Sequence, residues 1–523
     1  LVRDSNRLMP LPSPGATLPD MISPGAVSPG AGVPPGKPRQ AEPRRAGPSG
    51  LIIRPVAGCA DAEAFARLPA MLGGASAGWT VPLFAETKRL FDPAFNLALA
   101  EWQVPRWVGW RDGRPVGRIA AALPVAGGPA DPVATAGQGD TEKLGHFGFL
   151  ALEQDQALLD ALLATAADWL AAQGATRMRG PLSFTINHES GAQVAGFGGL
   201  PMPRMPRNPP WLPAMLDGAM RGGGVAAIRG PDTAAPVTGR SGTAAPATGG
   251  LQREMDLLAC TLDVATESHR ARFAPLLARW PGRGGLRIRP LRPTRLAQEV
   301  LLIRELYNDA WAANWGATPV TLAEAATMAR LLRPVLLTGK VFFAEWRGEA
   351  IGLLTMIPNV EAASATLDGR LLPFGWARMA HALVAAGSAR VPMLGIRAAW
   401  RGHPVSSMAF GALLTEAIAL AGKRGWKQLE ISWILEHNHA MRQAMARLGS
   451  VETGRWRLWG AALPWPLAAV KVPPALDAAS PPAPSVALRT VSAAAAPAPP
   501  VPLSPGMTPS VPDIMPAPGP AYG

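Results

Sequence analysis

Two of the chain's seven histidines flank an asparagine at His437-Asn438-His439, inside "SWILEHNHAMRQAMARLG", residues 432–449. Imidazoles ligate metals and carry protons near neutral pH. For a shared metal ion the spacing is wrong. On a helix, residues two apart point about 200° apart, and no second Cys/His cluster completes a zinc set. No metal is therefore expected. His439 reads as a surface histidine, whereas His437, directly after a strand, keeps a proton-handling role open. A second chemical stretch is "TINHESG", where Asn187, His188 and Glu189 crowd polar groups into Gly-rich, apolar text. A functional loop and a hydrogen-bonded structural loop both fit it. A third is "IRAAWRGHPVSS", residues 396–407. Arg401 and Gly402 lead into a helix starting near Pro404. The first amides of a helix lack internal partners and carry partial positive charge, so Gly402 to Ser407 suit an anion such as a diphosphate. Pro404 removes one donor. An ordinary turn before an amphipathic helix fits the same letters.

The elements that must position these groups form two similar series. The second runs as strand 286–291, helical text 296–313 and 322–332, a hairpin of 340–346 and 350–358, strand 390–397, helix 404–425, strand 426–434, a short helix from His437, and strand 454–463. Phe410, Leu414, Ile418 and Ala421 recur at helical spacing, and Gly425 closes that helix. The first runs as strand 51–56, helix 61–72, strands 106–110 and 114–123 across an "RDGR" turn, strand 144–150, helix 156–174 and strand 176–180. This repetition predicts a tandem duplication of one α/β unit.

Composition sets the surroundings. The chain has 523 residues, 57 of them Pro and 56 Gly. These concentrate in residues 1–50, 466–523 and 229–250, which carry too little apolar surface to offset chain ordering and are expected to be disordered. The expected domains are 51–265, with the 229–250 insertion, and 285–465. Net charge is +13, mostly from dispersed Arg. No basic run interleaved with aromatics marks a nucleic-acid surface, and no nucleic-acid partner is expected. Cys59 and Cys260 imply no disulfide framework, so a reducing, cytoplasmic compartment is expected. No uninterrupted run of about 18 apolar residues predicts a membrane span.

The element order resembles the GNAT N-acyltransferase superfamily. There the fourth strand splays from the fifth, and the pantetheine arm of an acyl-CoA lies in the gap. The superfamily's R-x-x-G-x-G/A loop falls on "RGHPVS", with Arg401 present and both glycines replaced, by Pro404 and Ser406. Its Asn-to-Leu-Gly spacing is met by Asn438, Leu448 and Gly449. A tyrosine that often serves as acid would stand at Met445 and is absent. More narrowly, "RGPLSFTINHESGAQVAGFGGLPMPRMPRNPPWLPAMLD" (179–217), "YNDAWAANWGATPVTLAE" (307–324), "IPNVE" (357–361), "GRLLPFGW" (369–376) and "LEISWILEHN" (429–438) resemble the bacterial branch that contains ceramide synthase. The resemblance covers about 51–465 apart from the insertion.

The resemblance implies tandem GNAT-like domains with mixed sheets, and an acyltransferase that moves a long-chain acyl group from acyl-CoA, its co-substrate, to a sphingoid base or its 3-keto form. It implies acyl-CoA contacts at Ile396, Arg397, Arg401, Gly402, His403, Ser406, Ser407 and Asn438 in the second unit. Backbone amides around Ile396 would hold the oxyanion. Glu189, Glu436 and His437 are the candidate bases, Glu189 first. Asn187, Asn208, Trp211, Tyr307, Trp315 and Trp376 are candidate acceptor contacts. Tyr307, Trp311 and Trp315 at i, i+4 and i+8 are expected on one helix face. Glu430, Ser432 and Ile434 are expected on one strand face, with Ile431, Trp433 and Leu435 on the other. Residues 371–383 read as an amphipathic helix, packed between domains or lying on the cytoplasmic face of the inner membrane, the first reading preferred. A non-catalytic CoA- or lipid-binding protein is the alternative function.

Overall fold

A computed structural model describes residues 50–128, 143–219, 250–265, 285–338 and 340–465, the side chains of 331–338 excepted. The segments expected to be disordered lie outside the described residues, save Gly50 and Gly250.

The first half contains β1 (Leu51–Pro55), α1 (Cys59–Met71), α2 (Phe84–Leu90), β2 (Trp102–Gln103), β3 (Arg106–Arg111), β4 (Arg114–Pro124), β5 (Leu144–Leu152), α3 (Gln156–Ala172), β6 (Arg177–Gly180), β7 (Ala192–Ala195), α4 (Leu212–Gly218) and β8 (Gln252–Asp263). The second contains β9 (Leu286–Pro290), α5 (Leu296–Trp311), α6 (Leu322–Thr338), β10 (Lys340–Trp346), β11 (Glu349–Pro358), α7 (Glu361–Ala365), α8 (Gly375–Ala385), β12 (Ser388–Ile396), α9 (Pro404–Arg424), β13 (Gln428–Leu435), α10 (His439–Arg447) and β14 (Val451–Ala462). The fold is α/β, a tandem of two like units, as the repeated pattern predicts. The hairpins close where expected: Asp112 and Gly113, and again Arg347 and Gly348, take the positive φ that a two-residue hairpin turn needs. Gly425 caps α9 in the left-handed conformation.

Both units contribute to one mixed sheet, ordered β1-β3-β4-β5-β6-β14-β8-β13-β12-β11-β10-β9. The halves exchange their last strands. β8, from the first half, pairs with β13 of the second, while β14, at the end of the second, pairs with β6 of the first. β8 and β14 then pair with each other along most of their lengths. The sequence reading has no strand at β8. It is an apolar run buried between two neighbours and lacks the alternation that marks a half-exposed strand.

Helices cover both faces. In the first half α3 lays Leu158 and Leu162 against Ile119 and Phe147, and on the opposite face α1 brings Phe65 onto Val108 and Ala120. In the second half α9 packs Leu413 and Leu414 against Val391 and Leu394, and α5 brings Leu306 to Phe343 and Leu353. Among the described residues α9 alone is long and apolar enough to cross a bilayer, a feature that the search for an unbroken apolar run does not detect. Its Val405, Ala409, Leu413 and Ala417 are buried in the core, which accounts for the composition without a membrane.

Each half lacks its own closing strand, so the two form one cooperative unit. Fragments 51–265 and 285–465 produced separately are expected to show no cooperative thermal transition, and their mixture to regain one, measured by circular dichroism. Two independently melting fragments would contradict the exchange.

Candidate active site

The site starts where β12 and β13 part. They pair in parallel only from Ser388↔Gln428 to Val391↔Ile431, although β12 continues to Ile396 and β13 to Leu435. Both carry an irregularity at that point. Opposite β11, β12 fits Val391 and Pro392 against the single residue Met356, and Pro392 has no N–H for a ladder. Opposite β8, β13 fits Ser432 and Trp433 against Ala259. An extra residue of this kind bends a strand and sharpens its twist. β12 therefore follows β11 and β13 follows β8, and a gap opens between them. Arg397 donates its N–H to Ile351 O at 2.8 Å. The alternation of an antiparallel ladder then turns the amides of Leu394 and Ile396 the other way, toward the gap.

The bulge in β13 also corrects the expected face assignment. Past it the alternation shifts by one. Ile434 joins Ile431 in the core under α9, while Trp433 and Leu435 pack with Leu182, Met205 and Trp456 on the opposite face.

β5 and β6 in the first half part in the same way after Leu144↔Arg177 to His146↔Arg179. That gap is filled by the chain itself. Leu182 N–H donates to Phe147 O at 2.7 Å. A Cβ at Gly148 would lie 1.7 Å from Leu182 O, so only glycine admits this close approach. The open gap belongs to the second half.

The first half reaches the second through residues 181–208. Buried Arg390, on β12 beside the parting point, donates through Nε to Ser432 Oγ at 2.9 Å and through Nη2 to Ser432 O at 3.2 Å. Through Nη1 it donates to Pro203 O at 2.7 Å. One guanidinium thus ties both splayed strands to the first half's loop. Ser432 Oγ in turn donates to Glu430 Oε1 at 2.9 Å. Arg204, on the same loop, pairs with Glu86 at 2.5 Å. Glu189 and Glu361 join this group through the fields of Arg204, Arg390 and Glu86, and no hydrogen bond or ion pair among the described residues engages either carboxylate. Burial pushes Glu361 up to about 7, and the charge of Glu189 adds to the shift. Burial also raises Glu189, with Arg204 opposing. Arg390 is pulled down by burial to about 10, partly offset by Glu430, and stays charged at neutral pH.

A second polar knot holds the loop. The Asn187 carboxamide accepts from Tyr307 Oη at 2.6 Å and donates to Thr318 O at 3.0 Å and Glu324 Oε1 at 3.3 Å. Burial pushes Glu324 up to about 7 and Tyr307 above its ordinary range. His188 sits 3.8 Å from Glu324 and shares a hydrogen with Thr185 Oγ1 at 3.2 Å. Burial and the nearby Arg204 hold it down at about 4, so it is neutral at pH 7.

The start of α9 is exposed at Arg401, Gly402, His403 and Ser407. Gly402 has φ +83°, open space surrounds it, and Pro404 occupies the first helical turn. His403 caps the helix: its Nδ1 accepts from Val405 N–H at 3.1 Å, and its carbonyl accepts from the Ser406 amide at 2.9 Å and hydroxyl at 2.8 Å. Arg401 donates to Ala310 O, tying this loop to the C-terminal turn of α5. Arg397 holds Ala350 O at 2.7 Å and Glu305 at 2.6 Å. The exposed turn at Gly402 leaves room for an anion at the start of α9, where Arg397 and Arg401 add positive charge, while the named donors are engaged within the protein.

The other sequence candidates fall elsewhere. Glu436 pairs with Arg253 and accepts from Asp256 N–H at 3.2 Å, so it faces β8. His437 is exposed, and Asn438 caps α10 by accepting from Met441 N–H at 3.1 Å. Asn208 is buried and exchanges hydrogen bonds with the Gln193 backbone at 2.6 and 3.2 Å. Trp211 packs edge-on to Trp79 in the first half, 6.0 Å between centroids. Tyr307 stacks on Trp311 at 4.9 Å, but the expected three-residue stripe does not form. α5 ends at Trp311, and Trp315 lies beyond it beneath Arg179, 4.1 Å from the guanidinium carbon. Residues 371–383 are not packed between the halves: α8 has no buried residue, and Trp376 is 58% exposed. Arg204, Glu361 and Arg390 went unnoticed in the sequence. A buried arginine is written like an exposed one; Arg204, inside 179–217, and Glu361, inside "IPNVE", lie in motifs that were read, but neither residue was singled out. No group of three or more His, Cys, Asp or Glu side chains that could hold a metal occurs among the described residues.

The chain is 32% identical to the bacterial ceramide synthase of Caulobacter vibrioides (strain NA1000 / CB15N) over 418 residues, 79% of this chain and 98% of that protein. It is 30% identical to protein YghO of Escherichia coli (strain K12) over 407 residues, 76% of this chain and 92% of the relative. Among solved structures it is similar to a tandem GNAT protein from the clavulanic acid biosynthesis pathway, at 16% identity and TM-score 0.43, covering 79% of this chain and 98% of that one. It is also similar to a GCN5-related N-acetyltransferase from Sphaerobacter thermophilus, at 14% identity and TM-score 0.39, covering 79% and 95%. No family model matches the chain.

Glu324 gives a test of the polar knot. Its folded pKa is raised, so the fold favours the protonated form. That stabilisation is whole below the free carboxylate's range and is lost as pH rises through about 7. Glu324→Gln keeps the hydrogen bonds and removes the charge. At pH 8 it is expected to be more stable than the parent by roughly 1–3 kcal/mol, and at pH 4 to match it, in urea unfolding.

Proposed function

The chain belongs to the bacterial ceramide synthase-like family of GNAT-fold N-acyltransferases, and from that premise we propose that it transfers a long-chain acyl group from acyl-CoA to the amine of a sphingoid base or its 3-keto form. The observation that carries this reading is the gap between β12 and β13, open in the second half, with Arg390 at the parting point in the field of two carboxylates that have no hydrogen-bonding partner among the described residues. The name of the Caulobacter relative supports the lipid acceptor, and the loop of residues 181–208, which meets the second half at Thr318 through Asn187 and at Arg390 through Pro203, supports an acceptor site built from both halves.

In this mechanism Arg401, Gly402, His403, Ser406 and Ser407 meet the diphosphate, and the pantetheine arm enters the gap beside Ile396. The acceptor arrives from the side of Glu189 and Glu361. The amine must lose its ammonium proton to become a nucleophile. Its nitrogen then attacks the thioester carbonyl, the amides of Leu394 and Ile396 receive the developing oxyanion, and the C–S bond breaks to release the thiolate. Glu189 and Glu361 are the bases for the first proton lost by nitrogen, and the departing thiolate takes the second. Burial raises the proton affinity of both, and the charge of Glu189 adds to the rise at Glu361. Arg204 and Arg390 oppose that rise at both carboxylates. Tyr307 and Asn187 position the Glu189 loop, and Asn438, as the cap of α10, fixes the chain after β13. The two free cysteines fit the cytoplasmic location we propose.

The test is mass spectrometry of purified protein given palmitoyl-CoA and a panel of amines, sphingoid bases included. An N-acyl sphingoid product is expected; stoichiometric binding without turnover would favour a non-catalytic binding protein. Turnover is expected to fall as pH drops below about 7, as Glu361 takes up its proton. Glu189→Gln and Glu361→Gln are each expected to lower kcat by about 100-fold or more while leaving the melting temperature and acyl-CoA affinity nearly unchanged. Undiminished kcat in both would remove the carboxylate pair from the reaction.

A further inference from the structure

Residues 370–384 leave an apolar ledge bare. Leu372 is 79% exposed, Phe374 76%, Trp376 58% and Val384 78%. On α8, Trp376, Ala380 and Val384 fall at i, i+4 and i+8 on one outward face, while Met379, Ala382 and Leu383 on the inward face are half-buried. The segment is held from beneath. Phe84 N–H donates to Gly369 O at 2.9 Å, and a Cβ at Gly369 would strike the Phe84 ring at 2.3 Å. Leu367 is buried, so the apolar side chains stand on a fixed base.

Within the segment the charge has one sign, the exposed Asp368 standing just before it with its carboxylate near Gly74. From Gly369 to Ala385 the ionisable side chains are Arg370, Arg378 and His381, all exposed, with no acid among them. Four large apolar side chains framed by arginines, with an indole among them, match the boundary between anionic headgroups and acyl chains. Trp prefers that boundary, and arginine meets lipid phosphates there. A protein partner of ordinary composition would have no reason to be anionic over the whole ledge. α8 packs against α7, whose first residue is Glu361. The ledge therefore adjoins the helix of Glu361, which the proposed mechanism puts on the acceptor side.

We propose that this ledge is the surface by which the protein sits on an anionic phospholipid bilayer. Leu372, Phe374, Trp376 and Val384 enter the headgroup–acyl boundary, and Arg370 and Arg378 meet the phosphates. The proposal draws on the lipid-acceptor reading for its purpose: an amphiphilic amine would pass from the bilayer to Glu361 without crossing water. Docking itself needs no turnover.

The experiment is co-sedimentation of the full chain with vesicles of phosphatidylcholine containing about 30% phosphatidylglycerol, and with phosphatidylcholine alone. Strong binding to the anionic vesicles is expected, at least tenfold weaker to the neutral ones. Leu372→Glu/Phe374→Glu is expected to lose at least tenfold in anionic-vesicle binding, with its melting temperature and light-scattering mass unchanged. Leu301→Glu, at an exposed apolar residue of α5, serves as the control and should bind as the parent does. No binding by the parent, equal binding to both vesicles, undiminished binding by the double variant, or a change in its mass from dimer to monomer would each overturn the proposal. All of these are read without acyl transfer. Failure of the acyltransferase reading would show instead in the mass spectra, with docking intact.

Discussion

The site depends on one constraint: β12 and β13 cannot stay paired beyond Val391 and Ile431. Pro392 offers no N–H, and each strand carries an extra residue at that point against its outer neighbour. β12 is drawn toward β11 and β13 toward β8. Amides that would bond a neighbouring strand are left without one, and unpaired amides favour developing negative charge. Both outer ladders must be strong for the gap to persist, and the paired lengths of β11 and β8 meet that need.

The exchange of β8 and β14 makes the first half part of the second half's site. β8 holds β13 in place, and its own chain leads back through the first half to the loop that carries Asn187, Glu189 and Arg204. The same unit serves two purposes. In the first half, Leu182 closes the gap and the loop beyond it is sent across to the second half. In the second, the gap stays open and the loop from the first covers one side. A duplicated fold has thus become an asymmetric pair.

Electrostatics follow from this burial. Arg390 is buried, yet every one of its nitrogens finds an acceptor on Ser432 or Pro203, which offsets the desolvation of its charge. Glu189 and Glu361 are left to the opposing fields of Arg204 and Arg390 without direct pairing. Burial raises the proton affinity of both, Glu361 to about 7, the property that a base for an ammonium substrate needs.

Local pattern sufficed for much of this. The elements of both halves, the hairpin turns at Asp112-Gly113 and Arg347-Gly348, the glycine stop of α9 and the importance of the Asn187–Glu189 loop were legible in the letters, because each rests on neighbours in sequence. β8 was not, since a strand buried between two partners does not alternate. The faces of β13 were not, since a bulge is set by the partner strand and leaves no mark in the strand's own spacing. Trp315 looked like the third member of a helical stripe only as long as the end of α5 was unknown. Glu361, Arg204 and Arg390 were not singled out, and Glu436 read as a candidate base. Folding reversed those roles by giving Glu436 a partner in Arg253 and leaving Glu361 without one. Sequence determined which segments become helix or strand, because that is decided by residues a few positions apart. The tertiary structure alone decided which charges are desolvated and which are paired, because burial and pairing are set by chain brought from the other half of the molecule.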